Sequence, residues 1–309
     1  MVELQESRRS FLKQFGILTA GISLASSEVL ALAKDDVATL TILHTNDTHS
    51  RLDPFPANSG RLSGLGGIAR RKALIDTIRS QTAQSLLVDA GDIFQGTPYF
   101  NFFKGEPEMK ALQAMGYEAA TMGNHDFDEG VENFAEQLNH VNFPFIVSNY
   151  DFDDTALAGR IHKNQIIKKG GLKIGLFGLG INPDGLIPAK LFGKVKHLDP
   201  LQLAKQQVSE LKEKGVDFIL CLSHLGYEYQ GTRISDRIVA QEVGGIDLIV
   251  GGHTHTFLDT PAEILNPDKR VTLIAQAGHS GVRLGRLDFT FEVHGKRRKH
   301  WWSESVFVK

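Results

Sequence analysis

The chain predicts an α/β fold with sheets covered by helices, and three observations lead there. Short apolar, β-prone runs recur through most of its length. Stretches with helical periodicity separate several of them. Near the end the helices stop and a two-residue alternation takes over, so a mixed sheet is expected, not a purely parallel one.

The expected strands are residues 39–43, 85–88, 119–122, 145–148, 172–177, 218–222, 247–250 and 271–276. Segment 68–80 puts Ile68, Leu74, Ile75 and Ile78 on one helical stripe, and 108–115, 131–140 and 201–214 repeat that period. Residues 284–293 alternate, with Leu287, Phe289 and Phe291 on one face, as in a half-buried antiparallel strand. Residues 50–64 form a loop long enough to border a site. Gly64-Leu65-Gly66-Gly67-Ile68-Ala69 has the letters of a dinucleotide fingerprint, but no apolar strand precedes it, so that reading is set aside.

Composition sets bounds. The chain has 309 residues, 41% hydrophobic and 23% charged, with a formal net charge of −2. This is ordinary for a globular protein. No basic stripe marks a nucleic-acid groove; the run Lys296-Arg297-Arg298-Lys299 reads as a solvated turn or strand edge. The single cysteine, Cys221, lies in an apolar run and reads as a buried structural thiol, which excludes an intramolecular disulfide.

The N-terminus speaks to compartment. Ser7-Arg8-Arg9-Ser10-Phe11-Leu12-Lys13 is followed by a mildly apolar stretch that ends in Ala31-Leu32-Ala33. Residues 1–33 thus resemble a twin-arginine export signal, leaving 34–309 as the mature domain, periplasmic or otherwise exported. The stretch contains Glu28 and is too short and polar for a membrane span.

The chemistry is concentrated in a few short segments. They are Asp47-Thr48-His49, Gly91-Asp92, Gly123-Asn124-His125-Asp126, His224 and Gly252-His253-Thr254-His255. Nearly every one sits where an apolar run stops. Asp47 and His49 are two apart, as are His253 and His255, and on extended backbone such pairs point to one side. Gly91 lets the chain turn and bring Asp92 close, and one carboxylate can bridge two cations. Asp89, earlier in its run, reads as a structural hydrogen-bonding residue. Seven donors result: Asp47, His49, Asp92, Asn124, His224, His253 and His255. With two divalent ions they leave a net charge of about +2, which attracts a phosphate dianion and acidifies a shared water, making hydroxide available at neutral pH. His125 is then free to protonate or neutralise the leaving oxygen, with Asp128 or Asp126 as its orienter.

The strings Leu43-His44-Thr45-Asn46-Asp47-Thr48-His49, Asp89-Ala90-Gly91-Asp92-Ile93-Phe94-Gln95-Gly96-Thr97-Pro98, Gly123-Asn124-His125-Asp126-Phe127-Asp128 and Gly251-Gly252-His253-Thr254-His255-Thr256-Phe257-Leu258 occur in order. Together they resemble the calcineurin-like metallophosphatases, and the fuller strings resemble the 5′-nucleotidase branch. The likeness runs from about Thr39 to Val293.

It implies a four-layer αββα sandwich with two mixed sheets and a dinuclear centre at their loop ends. One ion falls to Asp47, His49, Asp92 and His255, and the other to Asp92, Asn124, His224 and His253. His125 and Asp128 become the catalytic pair. Asp126 stands where this branch commonly has Glu, with no effect expected on the metals. The implied activity is phosphoester hydrolysis, with 5′-nucleotides as preferred substrates. Zinc, manganese, iron or nickel would suit the mixed donors.

Full-length 5′-nucleotidases also stack the base on aromatic rings of a C-terminal domain, and this sequence stops at Lys309. An alternative is therefore a subunit that depends on a separate nucleotide-binding chain; another is related metal chemistry on a sulfur ester. Trp301-Trp302 would dock such a partner or cap the sheet edge, and the cap is the preferred reading.

Overall fold

A computed structural model describes residues 37–292 and 297–309. The expected export signal at 1–33 lies outside them. In chain order the strands are β1 (Val37–Thr45), β2 (Ser85–Asp89), β3 (Ala119–Ala120), β4 (Tyr150–Asp151), β5 (Asn164–Lys169), β6 (Leu172–Leu179) and β7 (Lys196–His197). They continue with β8 (Phe218–Ser223), β9 (Leu248–Gly251), β10 (Ala262–Leu265), β11 (Val271–Ala275), β12 (Arg283–Glu292) and β13 (Arg297–Phe307). The helices are α1 (Ile68–Gln81), α2 (Pro98–Phe103), α3 (Glu106–Met115), α4 (Gly130–Gln137), α5 (Ala189–Phe192), α6 (Pro200–Glu213) and α7 (Asp236–Glu242).

Two mixed sheets carry the fold. One runs β13-β12-β1-β2-β3, the other β10-β11-β9-β8-β6-β5, and β4 pairs with β7 apart from both. Strands β1, β2 and β3 are parallel, as are β6, β8, β9 and β11, while β12, β13, β5 and β10 add antiparallel edges.

Period-two alternation sorts side chains into three cores, and three cores make four layers. Leu40 and Ile42 of β1, Leu86 and Val88 of β2, and Leu220 and Leu222 of β8 meet between the sheets, with Leu287, Phe289 and Phe291. Leu43 and Leu87, on the opposite face, pack beneath Ile75 of α1, Met109 and Leu112 of α3, and Phe134 of α4. Ile219, Cys221 and Ile249 pack beneath Ala204, Val208 and Leu211 of α6 and Val239 of α7. The chain is thus the αββα sandwich. Helix α6 starts where Asp199 accepts the Gln202 N–H at 2.9 Å and Pro200 opens the first turn.

Two expectations change, and some elements were not foreseen. Residues 145–148 do not form a strand, because their amides serve three different segments. Ile146 N–H donates to Ala120, Val147 N–H to His162 and Ser148 N–H to Gly178, so the segment ties the sheets together without joining a ladder. Helix α4 stops at Gln137, and 138–140 tighten into a 3₁₀ turn. Strand β13 and the short helices α2 and α7 have too little periodicity to stand out in sequence. Trp301 is fully buried between the sheets, and Trp302 lies against the Arg286 guanidinium at 5.4 Å. Cys221 is a buried free thiol, its pKa raised by burial.

Candidate metal centre

Every candidate residue follows the carboxyl end of a parallel strand. Asp47 and His49 follow β1, Asp92 follows β2, and Asn124 and His125 follow β3. His224 follows β8, and His253 and His255 follow β9. In open α/β sheets, these ends are where the crevice forms.

Backbone hydrogen bonds zip the first two loops together. Asp47 N–H donates to Gly91 at 2.8 Å, His49 to Asp92 at 3.0 Å and Ser50 to Ile93 at 2.8 Å. Gly91 has φ +87°, and a Cβ there would meet the Gly123 nitrogen at 2.5 Å. A Cβ on Gly123 would meet Asp92 Oδ1 at 2.2 Å. The two glycines let the loops after β2 and β3 touch.

The pairs two apart do not lie on extended backbone as expected. Asp47, His49, Asp92, His253 and His255 all have φ between 47° and 69°. For residues with a Cβ this conformation is costly and persists only where surroundings over-determine it. Here tight left-handed turns, not strand geometry, aim the side chains.

Two sets of donors converge. The ligand atoms of Asp47, His49 and His255 lie within 4.8 Å of one another, as do those of Asp92, His224 and His253. The two imidazole Nε2 atoms of His49 and His255 are 2.9 Å apart, with Asp47 Oδ1 3.3 Å from the latter. Asp92 Oδ2 lies 3.1 Å from His224 Nε2 and 3.9 Å from His49 Nε2, between the sets. Asn124 Oδ1 is 2.8 Å from His253 Nδ1.

His224 Nε2 is buried yet makes no hydrogen bond, and its other nitrogen donates to the Ala90 carbonyl at 2.7 Å. That bond leaves the Nε2 lone pair aimed at two carboxylates, an arrangement that a cation completes. Burial pulls the His224 pKa down, but Asp92 and then Asp47 override it and raise it. Asp92, which burial would raise, is held well below the usual carboxylate range by His224 and then His49. Burial and the His224 charge lower His253 to about 4, keeping it in the neutral form that ligates.

The rival orienters of His125 separate cleanly. His125 Nδ1 meets Asp128 Oδ2 at 2.9 Å, and that hydrogen bond raises the imidazole pKa despite partial burial. Asp126 is fully buried and accepts four backbone N–H groups, from Asp92, Ile93, Phe94 and Gly123, at 2.8 to 3.1 Å. It is the post around which the site loops are tied. Burial, then Asp92, raises its pKa to about 7. Asp89 holds Thr45 Oγ1 at 2.6 Å and Gly91 N–H at 2.8 Å, the structural role expected of it.

Sequence reasoning missed two neighbours. Asn46 donates to Asp47 Oδ2 and to the Gly278 carbonyl, each at 2.6 Å, and accepts the Ala277 N–H at 2.8 Å. His279 faces His255 at 5.1 Å between ring centroids. Both stand just beyond apolar strands, the position that revealed the other candidates.

The calcineurin-like phosphoesterase family profile matches residues 40–257. The chain belongs to that family. It is 34% identical over 275 residues to a 5′-nucleotidase of Diplobatis ommata, covering 82% of this chain and 46% of that protein. Among solved structures, a 5′-nucleotidase precursor from Thermus thermophilus superposes with a TM-score of 0.77 at 34% identity, covering 87% of this chain and 54% of that one. The NAD nucleotidase of Haemophilus influenzae gives 0.74 at 26% identity, over 89% and 50%. This phosphoesterase chain spans about half the length of the curated relatives it matches. Calcineurin-like phosphoesterases are metalloenzymes, and the two donor sets fit two divalent ions. The comparisons lend no support to a separate nucleotide-binding chain.

Proposed function

We propose that the chain is a metal-dependent phosphoric monoester hydrolase that releases phosphate from 5′-nucleotides. The observation that carries this is the placement of Asp92 between two imidazole-bearing donor sets, with the His125–Asp128 pair at their edge. One ion is assigned to Asp47, His49, Asp92 and His255, the other to Asp92, Asn124, His224 and His253. Zinc, manganese, iron or nickel suits these mixed donors. Bound there, the ions supply positive charge for phosphoryl oxygens and acidify water.

The chain's own residues do the rest. Asp126 fixes the loops that carry Asp92 and Asn124. Asp128 holds His125 by Nδ1 and favours its charged form, so Nε2 can keep a proton toward the leaving oxygen. The nucleotide preference is supported by the relatives named as 5′-nucleotidases. Residues 1–33 are assigned to twin-arginine export and 34–309 to the enzyme domain, acting in the periplasm.

The test is phosphate release by the purified domain from 5′-nucleotides and simple phosphomonoesters, with manganese or zinc added. His125→Ala is expected to lower turnover by about 10²–10⁴-fold. Activity that survives that substitution, or that needs no metal, would overturn the reading.

A further inference from the structure

We propose that Gln276 is the positioning residue that sets the spacing of the two ions, by clamping the turn that carries one imidazole of each donor set. The proposal rests on the two-ion reading above. His253 belongs to the set with Asp92 and His224, and His255 to the set with Asp47 and His49. Only Thr254 separates them in the chain. Both hold left-handed backbone, at φ 69° and 53°. Residues with a Cβ stay there only where the surroundings hold them.

Gln276 supplies that hold. It comes directly after β11, whose Ala275 pairs with Val250 of β9, so it emerges beside the loop that leaves β9. It is 1% exposed. Its Nε2 donates to the Gly252 carbonyl at 2.7 Å. Its Oε1 accepts the Thr256 N–H and, at 3.2 Å, the Thr254 hydroxyl. One side chain thus spans residues 252 to 256 and brackets both histidines. The same turn is tied to the donors themselves, because the His253 N–H reaches both carboxylate oxygens of Asp47 at 3.0 Å. Gln276 is therefore one bond network away from each set while touching no donor atom of its own.

The chemistry demands an amide. Gly252 presents a carbonyl and Thr256 an N–H, so the side chain must donate at one atom and accept at the other. That pairing also fixes which end of the amide is nitrogen. A carboxylate would set oxygen against oxygen at Gly252, and a thioether would serve neither group. With the clamp gone, His253 and His255 are free to shift relative to one another, and with them the two ion positions.

The test uses the full chain, stripped of metal and titrated with manganese. Calorimetry reads the binding, and electron paramagnetic resonance of the loaded chain reads the coupling between the ions. Wild type is expected to take up two manganese ions with the spectrum of a coupled pair. Gln276→Met keeps the length without the amide. It is expected to weaken manganese binding about 10- to 100-fold and to alter the pair's spectrum. Gln276→Glu keeps the acceptor and loses the donor. Its added negative charge would by itself draw cations in, so weaker binding there isolates the lost clamp, and it decides alone if Gln276→Met does not fold. Affinity and spectrum equal to wild type in either folded variant would overturn the clamp, whatever the change in urea midpoint, because a merely structural role would move only the latter. A wild-type chain that binds fewer than two manganese ions sinks the two-ion reading. One that binds two, with the variants unaltered, sinks the clamp alone.

Discussion

The two donor sets are built from similar residues but are held by different amounts of protein. In the set around Asp92, the side chains of Asp92 and His224 are 2% and 0% exposed, and His224 is locked through its second nitrogen onto the Ala90 carbonyl. In the set around Asp47 the carboxylate is buried, but the His255 side chain is 41% exposed. The set around Asp92 is the more enclosed, with only His253 half-buried. One half of the centre is thus the more enclosed and the other the more accessible.

The largest expected effect would come from comparing His224→Ala with His255→Ala. Loss of His224 removes the fully buried imidazole of the Asp92 set and leaves no other side chain among the described residues to take its place. Phosphate release should fall by more than the roughly 100-fold typical of disturbing a metal's supporting groups. Excess metal should not restore it. His255→Ala should cost about 10- to 100-fold and recover substantially at high metal concentration. Metal content per chain, measured beside activity, checks both. Equal recovery in the two variants would erase the distinction between the sets.

The supporting residues sharpen the same contrast. Asp126→Ala strands four buried N–H groups around the Asp92 loop and should cost at least about 3 kcal/mol of stability, read from urea unfolding. Asn46→Ala removes three hydrogen bonds beside Asp47 and should cost less, about 2 kcal/mol. If Asn46→Ala proved the more damaging, the open set would be the more tightly built one.

Some of this was legible in sequence because it is local. The alternation that puts Leu287, Phe289 and Phe291 on one face already says that these three are buried together. Glycine beside carboxylate at Gly91-Asp92 already signals a turn. Segment 145–148 was not legible, since its composition is that of a strand and its hydrogen-bond partners lie on three distant segments. Nor was the inward turn of Phe100, which depends on where Phe94 packs.

What the sequence determined by itself is the kind of chemistry: carboxylates, an amide and imidazoles, in a fixed order, each at the end of an apolar run. Residue type sets donor type, and period-two alternation sets the layers. The residues taken by themselves left Asp126 and Asp128, two apart in one motif, as rival partners of His125, and their surroundings differ in the tertiary structure. One is buried and saturated by backbone amides, the other lies within reach of an imidazole. The left-handed turns at Asp47, His49, Asp92, His253 and His255 were likewise decided there. Non-glycine residues hold that conformation only when contacts from distant segments outweigh its cost, and those contacts are absent from any local stretch of sequence.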